Sequence, residues 1–217
     1  MIKIYGNIVS RTSRNLWLLD ELEVDYEHIS LDWLNKEQLR PEYLKINPAG
    51  KVPTLVDGNI IISESIAINL YLAQKYNNNG IWPTDDKKQA LCLQWSLWAI
   101  SELEPTIYPR YREFYMKKEQ DRDQGLIKKL TILSETILDY LEKTLENNHY
   151  LTGADFCVAD LNVAVIMEYL NRTGFKLDKW QKISEWFNSC YNRKANINIQ
   201  TLREPEAQRL YKALNWK

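Results

Sequence analysis

Residues 47–76 constrain the fold more than any other stretch of the chain. They contain Asn47-Pro48-Ala49-Gly50-Lys51-Val52-Pro53, then Thr54-Leu55-Val56-Asp57-Gly58, then Ile60-Ile61-Ile62-Ser63-Glu64-Ser65. Val52-Pro53 lies among β-forming residues, where proline withholds a backbone donor and can sit cis at modest cost. Asp57-Gly58 between two apolar runs is a tight hairpin signal. Ser63-Glu64-Ser65 directly precedes a helical pattern of Ile66, Ala67, Leu70, Tyr71 and Ala73. Hydroxyls and N–H groups at a helix N-terminus form a ready anion site.

Around this stretch the first 80 residues alternate between two periods. Residues 1–5 alternate apolar and polar and read as a strand. Gly6 to Ser10 reads as a loop. Residues 13–23 fit a helix with Leu16, Leu19 and Leu22 inward and Trp17 beside them. Residues 25–29 fit a second strand. A polar crossover over 31–45 should hold a short helix near Pro41-Glu42-Tyr43-Leu44. Strands over 54–56 and 60–62 and a helix over 64–76 complete the order βαβ, crossover, ββα. An open sheet of this kind leaves ligand space at its strand ends. Asn77-Asn78-Asn79-Gly80 should end the third helix, and Ile81-Trp82-Pro83 reads as a linker.

Strand signals then vanish. Helices are expected over 87–105, 108–118, 125–146, 156–172 and 180–192, with a short last one over 205–216. The 125–146 helix carries Leu126, Leu130, Leu133, Ile137, Leu141 and Leu145 at threes and fours. The chain thus reads as α/β plus all-α, a first domain at 1–80 and an all-helical one at 85–217.

Composition excludes several function classes. A net charge of −1 gives no case for nucleic acid or an anionic membrane. No apolar run reaches the ~18 residues of a membrane span, and strand-like patterning from the first residues leaves no room for a signal peptide. Cys92, Cys157 and Cys190 are odd in number and far apart, and read as reduced core thiols of a cytoplasmic protein. Two isolated histidines and no Cys-x-x-Cys argue against a metal.

Asn47 to Pro53 and Ser63-Glu64-Ser65-Ile66-Ala67-Ile68, at this spacing, resemble the glutathione-binding core of the soluble glutathione S-transferases. The resemblance runs over essentially the whole chain. It implies a thioredoxin-like N-terminal domain, a helical C-terminal domain, a cytoplasmic detoxification enzyme and a homodimer. Leu151 to Leu161 resembles the family's helix-capping segment. Cys157 stands where the family usually has a hydroxyl, three residues before Asp160. Sulfur is a poor acceptor, so the cap should be weaker by ~1 kcal/mol.

The resemblance also implies roles for residues. Val52, beside a cis Pro53, would pair its backbone with the cysteinyl unit of glutathione. Ser65 would take the γ-glutamyl carboxylate, Glu64 would lie near the ammonium, and Lys51 would face the glycyl carboxylate. Arg40 and Gln38 would assist. Each has a plainer reading, as helix cap, edge proline or surface lysine, but their co-occurrence in one ββα unit favours the site.

Ionising the thiol is the main chemical task. A model thiol has a pKa of about 8.5, and reaching about 6 takes ~3.4 kcal/mol. A hydroxyl donating to the sulfur anion near the first helix would supply this. Ser10 takes the serine position of plant- and bacterial-type members when the chain is anchored on Tyr5-Gly6. Counting back from the helix end slips the register by one, placing Val9 there. Tyr5, Thr12 and Ser13 therefore remain alternatives, as do Arg11 and backbone N–H groups. No cysteine stands in this loop, which argues against thiol-type members. A wall of Tyr108, Tyr111, Arg112 and Tyr115, with Trp98, suits a flat apolar electrophile; the same residues also read as packed inter-helix core. The expected activity is attack of the thiolate on an electrophilic carbon. The alternatives are a binding or scaffold protein of this fold without turnover, and a carrier of aromatic compounds.

Overall fold

The computed structural model describes residues 1–77 and 79–216. The part of the Asn77–Gly80 turn at Asn78 lies outside the described residues. Two compact units are present: Met1–Ile81 together with Lys194–Leu210, and Trp82–Arg193 together with the chain from Tyr211 onward.

The first unit is built on β1 (Ile2–Tyr5), α1 (Thr12–Leu22), β2 (Tyr26–Ile29), a short α2 (Pro41–Leu44), β3 (Thr54–Asp57), β4 (Ile60–Ser63) and α3 (Ser65–Lys75). Sheet order is β2-β1-β3-β4, with β1 parallel to β2 and antiparallel to β3. Register pairs Tyr5 with both Ile29 and Thr54. This is the thioredoxin-like arrangement. Ile2, Ile4 and Leu55 bury one face, as strand alternation requires. The α1 helix is buried more widely than its leucine stripe implies: Thr12, Arg14, Asn15 and Leu18 are also buried.

The hairpin between β3 and β4 is tied to the end of α3. Asp57 Oδ2 accepts from Tyr71 Oη at 2.8 Å, Tyr76 Oη at 2.7 Å and Lys75 Nζ at 2.7 Å. Burial alone would raise this carboxyl, but the Lys75 and tyrosine donors outweigh it and hold it below the usual range. A depressed carboxyl stabilises the fold above its unfolded pKa of about 3.9, and that stability is lost as pH falls through the folded value. Asp57→Asn should therefore cost about 2 kcal/mol at pH 7, since the bonds are to a charged acceptor. It should also flatten the loss of stability below pH ~4, as read by urea unfolding across pH.

The second unit contains α4 (Asp86–Trp98), a widened π turn over Ala99–Leu103, α5 (Glu104–Tyr115), α6 (Gln124–Leu145), α7 (Val158–Arg172) and α8 (Gln181–Tyr191). Pro105 does not end a helix. It falls in the first turn of α5, directly after the π turn that already shifts the hydrogen-bond ladder, and the chain runs on helically from α4 through it. Asp123 caps α6 by accepting from Leu126 N at 2.9 Å. Along α6, Leu130, Leu138, Leu141 and Leu145 are buried, while Leu133 is exposed. The α7 helix is the unit's core: Val158–Met167 is buried throughout. No helix among the described residues is long and apolar enough to cross a membrane.

The last helix is longer than the sequence pattern indicates. α9 runs Lys194–Leu214, with Pro205 inside it. Proline withholds one interior hydrogen bond, but Ile199, Ala207 and Leu210 bury a continuous stripe on either side of it.

Candidate functional site

The chain leaves β1 through Gly6, whose φ is +137°. A Cβ there would lie 2.2 Å from Thr12 Oγ1 and 2.9 Å from Val52 Cβ, so only glycine fits. This close approach sets Val52 against the loop that follows β1. The Val52-Pro53 peptide is cis. The 47–53 loop is held from beneath: Lys51 O accepts from Tyr43 Oη at 2.5 Å and from Asn47 Nδ2 at 2.9 Å. Both donors also reach Thr54 Oγ1. Lys51 itself is exposed and Val52 half-buried.

The loop from Gly6 to Ser10 is organised by Asn7, which is buried. Its Oδ1 accepts from Val9 N at 2.8 Å, and its backbone O accepts from Ser10 Oγ at 2.6 Å. Its Nδ2 donates to Glu206 Oε1 at 2.8 Å, 199 residues along the chain on α9. Arg209 bonds Glu206 in turn and reaches Asp32 at 3.6 Å. The Arg209 bond, with that from Asn7, holds the Glu206 carboxyl below its ordinary range.

Of the hydroxyls near the start of α1, Ser10 is the most connected. Ser10 Oγ lies 2.8 Å from Thr12 Oγ1 and accepts from Thr12 N at 3.2 Å. Ser13 Oγ donates to Ser10 O at 3.1 Å. Thr12 is fully buried. The Tyr5 ring packs on Tyr43, with centroids 6.0 Å apart.

Two polar side chains of α1 carry this loop to the tip of α3. Arg14 Nη1 donates to Ser65 Oγ at 3.3 Å, and Asn15 Nδ2 donates to Ser65 O at 2.8 Å and Asn69 Oδ1 at 2.7 Å. Ser65 is the first residue of α3 and is buried. Glu64 precedes it, exposed, with φ 71° and ψ 114°. A side chain in that region costs about 1–3 kcal/mol and marks a place where geometry is imposed. Among the described residues no side chain caps α3, so its first-turn N–H groups and dipole are disposed toward an anion. Arg40 is exposed and paired with Glu37 at 2.9 Å. Gln38 is half-buried, its backbone O packed on Gly50.

Ser10 and Thr12 are thus hydrogen-bonded to each other. Thr12 and Val52 both lie against Gly6, with Pro53 following Val52 through a cis bond, and Arg14 and Asn15 of the same helix bond Ser65. Asn7, Arg14, Asn15 and Glu206 are the residues that sequence reading passed over. The signal for Arg14 and Asn15 was present: two polar residues on the side of α1 that should be apolar.

The tyrosines of the helical unit are stacked together. Tyr111 lies 6.0 Å from Tyr108 and 4.7 Å from Tyr115, centroid to centroid, and 4.9 Å from Tyr169. Tyr111 is buried, whereas Tyr108 and Tyr115 are half-buried. Arg112 is exposed. Trp98 packs elsewhere, edge-on to Trp95 at 5.1 Å and near Tyr140 at 5.8 Å. Among the described residues, no group of three His, Cys, Asp or Glu could hold a metal ion.

Comparison with known proteins identifies the family and the fold. Residues 1–74 match the family model described as glutathione S-transferase, N-terminal domain, and residues 103–194 match glutathione S-transferase, C-terminal domain. Glutathione transferase F2 from Populus trichocarpa is similar at 27% identity and a TM-score of 0.87, covering 94% of this chain and 100% of that one. Poplar glutathione transferase F1 is similar at 29% identity and a TM-score of 0.86, covering 94% and 98%. A theta class glutathione S-transferase from Xanthomonas axonopodis pv. citri, solved with glutathione bound, is similar at 26% identity and a TM-score of 0.82, covering 90% and 94%. With both domain models matched in order, and the sheet and helical unit as described, the chain belongs to the glutathione S-transferase family.

Proposed function

We propose that this protein is a glutathione transferase that binds glutathione at the strand ends of its α/β unit, stabilises the thiolate, and directs it at an electrophilic carbon of an apolar or aromatic substrate. One observation carries this reading: Arg14 and Asn15 bond Ser65, joining the hydroxyl-bearing start of α1 to the uncapped tip of α3. A tripeptide with a carboxylate at one end and a thiol in its middle matches those two features.

In this reading Val52 pairs with the cysteinyl backbone as an added strand would. Ser65 and the α3 N–H groups take the γ-glutamyl carboxylate, and Arg14 orients the Ser65 hydroxyl by donating to it. Glu64 meets the ammonium, which accounts for its imposed φ. Lys51, exposed, meets the glycyl carboxylate, and Arg40 is secondary because Glu37 already holds it. Ser10 is the thiol-activating hydroxyl. Its proton rests on Asn7 O, and rotation about Cβ–Oγ redirects it to sulfur while Thr12 N–H continues to donate to Oγ. Ser13 and Tyr5 rank lower, because the Ser13 hydroxyl already donates to Ser10 O and Tyr5 packs on Tyr43. The half-buried Tyr108 and Tyr115 are offered to the electrophile, with Tyr111 as their packed support.

Calorimetric titration with glutathione tests the reading. Wild-type protein should take up the tripeptide. Glu64→Gly should bind roughly tenfold more weakly, from loss of a charge-assisted contact, yet be about 1 kcal/mol more stable because the positive φ is relieved. Absence of any binding heat for folded wild type would end the proposal.

A homodimer in the cytoplasm completes it. Leu93, Leu97 and Ile100 at the α4 end, with Ile132, Leu133 and Tyr140 on α6, are exposed apolar side chains on two neighbouring helices. A contiguous apolar surface formed by such residues would mark an interaction site. Sedimentation at micromolar protein should give twice the chain mass; monomer alone would oppose the assembly.

A further inference from the structure

Two of the three cysteines meet in the core of the helical unit. Cys92 Sγ on α4 lies 3.5 Å from Cys157 Sγ at the start of α7, across 65 residues of chain. Both are buried and reduced. Their surroundings are specific. Cys157 Sγ donates to Asp160 Oδ2 at 3.3 Å and lies 3.3 Å from Thr152 Oγ1.

We infer that Cys92 and Cys157 form a site of reversible oxidation, an intramolecular disulfide that a hydroperoxide makes and a dithiol removes. The sulfurs are already in van der Waals contact, and a bond requires them to close to about 2.05 Å. Cys157 Sγ faces the Asp160 N–H in the capping box of α7, and the return half of that box, from Cys157 N to Asp160, does not involve sulfur and survives the reaction. Asp160 holds the Cys157 backbone N–H at 3.0 Å, Leu151 N at 2.8 Å and Trp186 Nε1 at 2.8 Å. The S–H donor to Asp160 is lost.

The chemistry balances with the hydroperoxide as oxidant. One sulfur, as thiolate, attacks the peroxide oxygen; the O–O bond breaks, leaving a sulfenic acid and an alcohol, or water from hydrogen peroxide. The second sulfur attacks the sulfenic sulfur, the S–S bond forms, and the displaced oxygen leaves as water with the thiol proton. Two thiols lose two electrons and two protons in total. Hydrogen bonding with Cys92, burial and the nearby Asp160 carboxylate all raise the Cys157 thiol, so the reaction is slow and follows local opening of the unit. Glutathione binding plays no part in this chemistry. A cysteine at the N-cap of α7, facing Cys92 across the core, is what makes it possible.

The full chain should be treated with hydrogen peroxide, quenched, unfolded in the presence of N-ethylmaleimide and mapped by mass spectrometry. Labelling should fall from three cysteines to one, Cys190, with a mass loss of roughly 2 Da and a Cys92–Cys157 cross-linked peptide pair, all reversed by dithiothreitol. The oxidised protein should melt about 5 °C higher, since the cross-link restrains its unfolded state. Cys92→Ser lies outside the cap; in it the cross-link should be absent and Cys157 should stay labelled or advance to sulfinic acid. The inference is overturned if all three cysteines stay labelled after peroxide has oxidised the methionines. It is equally overturned if Cys190 disappears as fast as the pair.

Discussion

Asp160→Ala should cost about 4 kcal/mol, a large fraction of the net stability that a folded chain retains. Asp160 is completely buried, and its carboxylate accepts from Leu151 N, Cys157 N and Trp186 Nε1 at 2.8–3.0 Å. Burial pushes this carboxyl up, against the pull of the three N–H donors. Truncation leaves those donors buried without an acceptor, each at roughly 1–3 kcal/mol. It also removes the acid from the first turn of α7, where the helix dipole favours a negative charge. Asp160→Asn is the control. Its remaining oxygen still serves Leu151 and Trp186, while its amide confronts the Cys157 N–H, so about half the loss should appear. Urea unfolding followed by tryptophan fluorescence reads both, with Trp186 as a direct reporter. A loss below about 1 kcal/mol for the alanine variant would show that the capping network does not hold the unit together.

Ser10→Ala should lower conjugation of a model aryl halide by one to two orders of magnitude at neutral pH. A hydroxyl donating to an anion is worth about 1.5–3 kcal/mol, and that interaction is present for thiolate and nearly absent for thiol. Losing it raises the pKa of bound glutathione. The rising limb of the pH–rate profile therefore moves to higher pH, and the variant recovers activity relative to wild type as pH increases. Glutathione affinity should change little, which separates this effect from damage to the tripeptide site. Equal rates for variant and wild type at every pH would remove Ser10 from the mechanism, and Tyr5→Phe would then be the variant to measure.

Much of this architecture was legible in short-range chemistry. Alternation in residues 1–5, the Asp57-Gly58 turn, the leucine spacing around 130–145 and the helix tip at Ser65 are each decided by residues a few positions apart. That is why the order βαβ, ββα and then helices could be read directly. Boundaries were less legible where two local rules compete. Pro105 reads as a stop, yet the helical path continues past it where a π turn has already shifted the hydrogen-bond ladder. Pro205 reads as a start, yet α9 begins 11 residues earlier because apolar burial on both sides outweighs one missing hydrogen bond.

The Ser10 hydroxyl is held by near neighbours, Asn7 and Thr12, but the partners of Asn7, Arg14 and Cys92 were settled at longer range. Nothing near Asn7 in the sequence announces Glu206, 199 residues away, and nothing near Arg14 announces Ser65, 51 residues on. Cys92 and Cys157 read as unrelated thiols until the packing of α4 against the start of α7 sets their sulfurs in contact. Propensity and pattern act through neighbours along the chain and so are written into it. A hydrogen bond or sulfur contact between remote side chains exists only once burial has chosen which elements share a core.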